Sequence, residues 1–154
     1  MSYKCEVKDL STQSALSIRT RTSVDKLPQV MGEVYSAVFH YLAELAEEPA
    51  GPPFAGYFNM DMQDLDVEIG VPVSKGLPGK EDIKASEIPG GKIATCLYTG
   101  PYSEIGSAYT ALSQWMEDNG YEPTGVSYEM YVDDPGETPQ QELRTEIWFP
   151  VKSA

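Results

Sequence analysis

The sequence predicts an α+β domain made of two similar sheet-and-helix modules, and three observations carry this. First, an acid-bearing strand is written twice. Leu65-Asp66-Val67-Glu68-Ile69-Gly70-Val71-Pro72-Val73 and Leu143-Arg144-Thr145-Glu146-Ile147-Trp148-Phe149-Pro150-Val151 share Leu, Glu, Ile, Pro and Val at one offset, Glu68 to Glu146. Second, the runs that open each half match at the same offset, with Leu10 on Ile88, Ala15 on Ile93 and Ile18 on Cys96. Third, each half carries one stretch of helical spacing between its strand-like runs. The expected module is strand-strand-helix-strand-strand. Two of them give about eight strands, mostly antiparallel, with a helix on one face of each sheet and a central cleft between the halves. The pseudo-repeats span 3–73 and 82–151, joined by a linker at 74–81, in a single domain over 1–154.

Each element has its own signal. Tyr3 to Leu10 and Ala15 to Arg21 alternate in polarity and are separated by Ser11 to Ser14, so they read as a hairpin or close strand pair. Ser23 or Asp25 is placed to cap a helix over Leu27 to Glu47, whose stripe is Met31, Val34, Tyr35, Val38, Leu42 and Leu45. Pro49-Ala50-Gly51-Pro52-Pro53 stops it. Phe54 to Met60 reads as a strand and Leu65 to Val71 as the first acid-bearing strand. Gly76, Pro78 and Gly79 mark the linker. Asp82 to Ile88 and Lys92 to Thr99 restart the pattern around Pro89-Gly90-Gly91. Ser103 is the expected cap of a second helix with Ile105, Ala108, Tyr109, Leu112, Trp115 and Met116 on one stripe. Asn119-Gly120 supplies a left-handed terminus. Gly125 to Val132 is a strand, Asp133 to Gln140 an acidic Pro/Gly loop, and the second acid-bearing strand closes the half.

Composition narrows the function classes. The chain has 154 residues and a net charge of −13, from 24 acids against 11 bases. Such a chain lacks the clustered Lys and Arg that phosphate binding needs, so direct nucleic-acid binding is not expected. It suits attraction of cations. No basic-then-apolar leader and no bilayer-length apolar run are present, which reads as a cytoplasmic protein without membrane insertion. Cys5 and Cys96 stand far apart without CxxC spacing, and His40 is the one histidine, so no metal site and no cofactor are expected. Both thiols read as reduced and buried in strands, and His40 reads as structural.

The candidate chemistry centres on Glu146. Alternation places Leu143, Thr145, Ile147 and Phe149 on one face of the strand and Arg144, Glu146 and Trp148 on the other. An acid beside an indole suits a flat, lipophilic cation. The competing reading is structural: Glu146 on a wet outer face, or paired internally with Arg144. Glu68 holds the equivalent place in the first half. It is followed by Gly70 where Glu146 is followed by Trp148, so one half is expected to open a cavity that the other furnishes. Tyr57, Tyr128 and Tyr131 lie on flanking strands. Tyr128 shares a face with Met130, and Tyr131 with Glu129. Tyr109 on the helix reads as core.

Taken in order, several stretches resemble the GyrI-like family, the small-molecule-binding domains also known as effector-binding domains of multidrug-responsive transcription activators. They are Gly51-Pro52-Pro53-Phe54-Ala55-Gly56-Tyr57, Val67-Glu68-Ile69-Gly70-Val71-Pro72-Val73, Tyr98-Thr99-Gly100-Pro101-Tyr102, Trp115 with Asn119-Gly120-Tyr121, Tyr128-Glu129-Met130-Tyr131 with Asp133-Asp134-Pro135, and Thr145-Glu146-Ile147-Trp148-Phe149-Pro150-Val151. The resemblance covers essentially the whole chain. It implies a duplicated βαββ-type fold around an aromatic cleft. It also implies that an acid matching Glu146 meets lipophilic cations while Tyr57, Trp115 and Tyr128 stack on them; Trp148 and Phe54 are added from face geometry. A stand-alone binding protein for sensing or sequestration is the leading expectation. One alternative is a hydrolase of strained cyclopropane-bearing electrophiles using Glu146, Tyr57 and Tyr128. Another is a gyrase-inhibitor-like regulator of a protein partner, with Asp133 to Glu137 as a contact loop. Relatives fused to a helix-turn-helix read DNA, and no such segment is expected before Tyr3.

Overall fold

Alternation in the sequence becomes β-ladder in the computed structural model, which describes residues 3–134 and 136–153. Pro135, within the expected acidic loop, and Met1, Ser2 and Ala154, within the expected 1–154 span, lie outside them. The strands are β1 (Cys5–Leu10), β2 (Gln13–Thr22), β3 (Phe54–Tyr57), β4 (Leu65–Pro72), β5 (Lys84–Ile88), β6 (Gly91–Thr99), β7 (Tyr121–Pro123), β8 (Ser127–Tyr131) and β9 (Arg144–Ser153). Two α-helices, α1 (Leu27–Glu44) and α2 (Gly106–Asp118), and two 3-10 turns, Tyr102–Glu104 and Gln140–Glu142, complete the described elements. The class is α+β with antiparallel pairing, as expected.

The ladder partners differ from the expected hairpins. β1 pairs with β6, and β2 pairs with β4 and β5. The chain accordingly forms two contact units, residues 12–89 and residues 1–11 with 90–154. A run of alternating residues declares a strand and its faces, but not its neighbour. In the first unit the order is β3-β4-β2-β5, and in the second β1-β6-β9-β8, with β7 on the far end of β9. Registers recur at the sequence offset. Ala15 opposes Pro72 as Ile93 opposes Pro150, and Gln13 opposes Ile88 as Gly91 opposes Leu10.

Each helix covers one face of the strands of its own unit. α1 buries Leu27, Val34, Val38, Tyr41 and Leu42 and packs on β4 and β2. These strands bring Leu16, Val67, Ile69 and Val71, all fully buried. α2 buries Ala108, Leu112 and Met116 against Ala94, Cys96, Tyr98, Ile147 and Val151. Burial of such side chains contributes about 1.5–3 kcal/mol each and dominates the cohesion of both units.

The helix ends depart from the caps expected. Lys26 occupies the N-cap of α1 without a side-chain hydrogen bond, so neither Ser23 nor Asp25 caps it; Pro28 in the first turn sets the start. α1 ends at Glu44, well before Pro49. Ala46 adopts a left-handed conformation at φ 56°, and the Glu47 N–H reaches back to the Leu42 carbonyl at 2.9 Å. That reversal closes the helix without proline. Ser103 lies inside a 3-10 turn instead of capping α2, whose N-cap is Ile105. Gly120 does take the left-handed conformation, at φ +76°. The expected linker is tied down: Leu77 is buried, and the Pro78 carbonyl accepts the Tyr41 hydroxyl at 2.7 Å.

Candidate functional site

The register of β8 on β9 decides which acids face which way. Glu129 opposes Ile147 and Tyr131 opposes Thr145, whereas Met130 opposes Glu146 and Tyr128 opposes Trp148. Residues opposed in a ladder share a face. Ile147, Phe149 and Val151 pack with α2, so Glu129 and Tyr131 lie on the helix side. Glu146 and Trp148 lie on the other side.

Beneath α2, Glu129 gathers phenols. The Tyr109 hydroxyl, from α2, donates to one carboxylate oxygen. The Tyr131 hydroxyl donates to the other at 2.8 Å. Two further rings extend the cluster. Tyr102 meets Tyr131 edge-on with centroids 5.7 Å apart, and Phe149 meets Tyr109 edge-on at 5.8 Å. Tyr102 is delivered by the turn Thr99-Gly100-Pro101. Gly100 sits at φ +145°, where a Cβ would lie 2.8 Å from the Tyr98 hydroxyl oxygen, and that hydroxyl donates to the Pro101 carbonyl at 2.7 Å. Glycine is required there by both backbone and space.

The electrostatics of the cluster are those of an acid short of positive charge. Burial pushes the Glu129 carboxyl above its ordinary value, and the two phenol hydrogen bonds oppose that shift only in part. No Lys, Arg or His contributes to its environment among the described residues. Tyr102 is pushed up as well, by burial first and then by the charges of Glu129, Asp133 and Asp134. Arg144 is engaged by Asp133 through two bonds of 2.9 Å. The expected alternative of an Arg144–Glu146 pair is therefore not formed.

Glu146 has a different setting. Its same-face neighbour is Trp148, as the alternation implied, and the indole N–H donates to its carboxylate at 2.5 Å. The Lys8 ammonium on β1 lies 3.7 Å from the same oxygen. The carboxylate is thus a quarter exposed and already accompanied by a cation.

The other sequence candidates scatter. Tyr128 is buried opposite Trp148. Trp115 on α2 stacks on Tyr121 at 6.0 Å, nearly parallel. Phe54 is fully buried on β3, and its carbonyl accepts the Tyr35 hydroxyl at 2.8 Å. Tyr57 closes β3 opposite Val67. His40 is exposed on α1, 3.3 Å from Glu44.

Glu68 is buried in the first unit and accepts the Ser17 hydroxyl at 2.6 Å. Ser17 also touches the Ser86 hydroxyl at 2.8 Å. Replacing Ser17 by Ala should leave this carboxylate without its donor and lower stability by about 1–3 kcal/mol; the midpoint of urea unfolding reads the change. Beside it, the room expected at Gly70 is absent. A Cβ there would lie 2.2 Å from the Leu16 carbonyl oxygen and 2.6 Å from the Ser17 Cβ. Gly70 permits close approach of β2 and opens no cavity.

Residues 3–152 match the family described as GyrI-like small molecule binding domain. The chain belongs to that family. Among solved structures, this GyrI-like domain is similar to the EcmrR C-terminal domain, at 25% identity and TM-score 0.78 over all of both chains. It is also similar to EcmrR in a complex with DNA, at 24% identity and TM-score 0.84; there it spans 99% of its own length but 58% of the EcmrR chain. SAV2435 bound to tetraphenylphosphonium shares the fold at 13% identity and TM-score 0.63, covering 99% of this chain and 94% of that one. A hydrolase from Listeria innocua shares it at 16% identity and TM-score 0.71, covering 97% and 92%. None of the curated proteins matches. The DNA in that complex is bound by EcmrR. No helix of the GyrI-like domain is long and apolar enough to cross a membrane among the described residues.

Sequence reasoning passed over Glu129, Tyr102 and Tyr109 as site residues. The signal lay in Tyr128-Glu129-Met130-Tyr131: an acid and a tyrosine two apart share a face. The stretch did not say that this face turns toward the helix.

Proposed function

We propose that this domain binds flat, lipophilic cations through the Glu129 cluster, in a sensing or sequestering role. The observation that carries the reading is the pair of phenol hydroxyls, from Tyr109 and Tyr131, that converge on one desolvated carboxylate among aromatic rings. Such a group is improved by a bound cation, because a positive charge restores the solvation that burial removed. Ring faces add cation–π attraction. SAV2435, a neighbour in fold, is bound to tetraphenylphosphonium, a lipophilic cation. The counter-charge thereby moves from Glu146, already accompanied by Lys8, to Glu129. Recurrence of ladder registers at the sequence offset supports reading the chain as two duplicated modules.

The test is titration of tetraphenylphosphonium and fluorescent cationic dyes into wild type, Glu129→Gln and Glu146→Gln. Glu129→Gln should weaken binding strongly, and Glu146→Gln by less than about twofold, since exposed charge contacts are weak. The opposite order would return the role to Glu146. Unchanged binding by both would remove the carboxylates from it.

The raised Glu129 carboxyl supports a second reading, since burial that favours its protonated form suits general acid catalysis. Its substrate class would be the strained cyclopropane-bearing electrophiles. Mass spectrometry after prolonged incubation tests it: recovery of the compound intact removes the enzyme reading.

A further inference from the structure

Cys5 and Cys96 are far apart in sequence, yet they are direct partners in the β1–β6 ladder. Directly opposed residues of an antiparallel pair have Cα atoms about 4.5 or 5.5 Å apart. Either spacing falls within the window of a disulfide, about 4.4–6.8 Å. Opposed residues also share a face, and both thiols join the cluster beneath α2 with Ala94, Ala108 and Leu112. Both are free thiols. Cys96 is fully buried and Cys5 partly so, with its thiol 3.9 Å from the Tyr3 carbonyl. Burial, followed by the neighbouring Cys5, pushes the Cys96 thiol up to about 12.

From this placement we infer that Cys5 and Cys96 form a cross-strand disulfide site, closed by a small disulfide oxidant such as glutathione disulfide. The chemistry is two exchanges. The Cys5 thiolate attacks the oxidant's S–S bond, forming a mixed disulfide and releasing one glutathione thiolate. The Cys96 thiolate then attacks the Cys5 sulfur, forming the Cys5–Cys96 bond and releasing the second. Two protein thiols are oxidised, one glutathione disulfide is reduced to two thiols, and the two protons pass to the leaving thiolates. Cys5 is the entry point because it is the less buried of the two. The second exchange is the slow one, because so little of Cys96 is thiolate at neutral pH.

The bond fastens β1 to β6. Below neither flank is β1 held by a second strand, since β6 is its one ladder partner among the described residues. An edge strand with one neighbour opens more readily than a central one. Lys8 travels on β1, so the bond also fixes the ammonium that accompanies Glu146.

The test uses the full chain in a glutathione redox buffer without denaturant. The expected result is a monomer lighter by two hydrogens, both thiols closed to alkylation, and a Cys5–Cys96 cross-linked peptide after proteolysis. Closure should quicken as pH rises. Cys96→Ser should stop at the mixed disulfide on Cys5. At equilibrium the folded chain should favour the bond at least about tenfold more than the chain in concentrated urea, because the ladder holds the thiols opposed. Hydrogen exchange of the β1 amides should slow on oxidation and recover on reduction. Two alkylatable thiols, a stable mixed disulfide in wild type, an intermolecular bond, or equal closure in urea would each overturn the inference.

Discussion

A lipophilic cation should bind this domain more tightly as pH rises through the elevated Glu129 value. The folded, ligand-free chain holds a proton on Glu129 above the ordinary glutamate value of 4.5 because burial penalises the charged form. A cation is attracted to the ionised carboxylate, so binding must first expel that proton. Below the folded value, affinity should fall by up to about tenfold per pH unit. Glu129→Gln should flatten this dependence and weaken binding at high pH by roughly 10- to 100-fold, the loss of a hydrogen-bonded charge contact worth about 1.5–3 kcal/mol. Calorimetry in two buffers of different ionisation enthalpy would count the proton released. A flat profile in wild type would remove Glu129 from the contact. Stability should run the other way. Between 4.5 and the folded value the native chain binds more protons than the unfolded one, so stability falls with rising pH. Its contribution is complete below 4.5 and is lost as pH climbs through the folded value. Glu129→Gln should remove that decline, so one substitution weakens binding while it steadies the fold.

Gly70→Ala should be the most damaging single-methyl change in the first unit. The added Cβ meets the Leu16 carbonyl oxygen at 2.2 Å and the Ser17 Cα at 2.8 Å. These are backbone atoms of the adjacent strand β2, so no rotamer change relieves the clash. Relief requires β2 and β4 to part, breaking the ladder from Ala15–Pro72 to Thr22–Leu65 locally. Overpacking of this kind costs about 1–3 kcal/mol where side chains yield, and the upper end or more is expected where backbone must. Urea unfolding should show a lower midpoint with an unchanged slope. A shift under about 0.5 kcal/mol, the range of neutral surface changes, would mean that β2 yields easily.

What the sequence disclosed and what it withheld follow from the range of each signal. Period-2 alternation is local, and it located β4 and β9 and the shared face of Glu146 and Trp148, whose hydrogen bond the structure contains. Helical spacing located α1 and α2 through Val34, Val38 and Leu42, and through Ala108, Leu112 and Met116. Ladder partners are not local, and β1 lies on β6 instead of forming the expected hairpin or close pair with β2. Glu129 is not conspicuous in the sequence for the same reason. Glu146 sits beside a conspicuous indole in the sequence, whereas Glu129 obtains Tyr109 from a helix some twenty residues earlier, through a contact that exists only after folding. The caps failed because Ser23, Asp25 and Ser103 fit a helix start chemically, while Pro28 and the 3-10 turn at Tyr102 set the starts by backbone geometry.

The pairing of β1 with β6 bears on how the polypeptide is made. Synthesis is vectorial, at about 5–20 residues per second. Strands β2 to β5 can zip together once Ile88 has left the ribosome, but β1 lacks its ladder partner until Gly91 to Cys96 emerge. For several seconds nascent β1 therefore carries an unsatisfied ribbon of amides and carbonyls. Its defence in that interval is charge: Lys4, Glu6, Lys8 and Asp9 intersperse the apolar positions and discourage premature association.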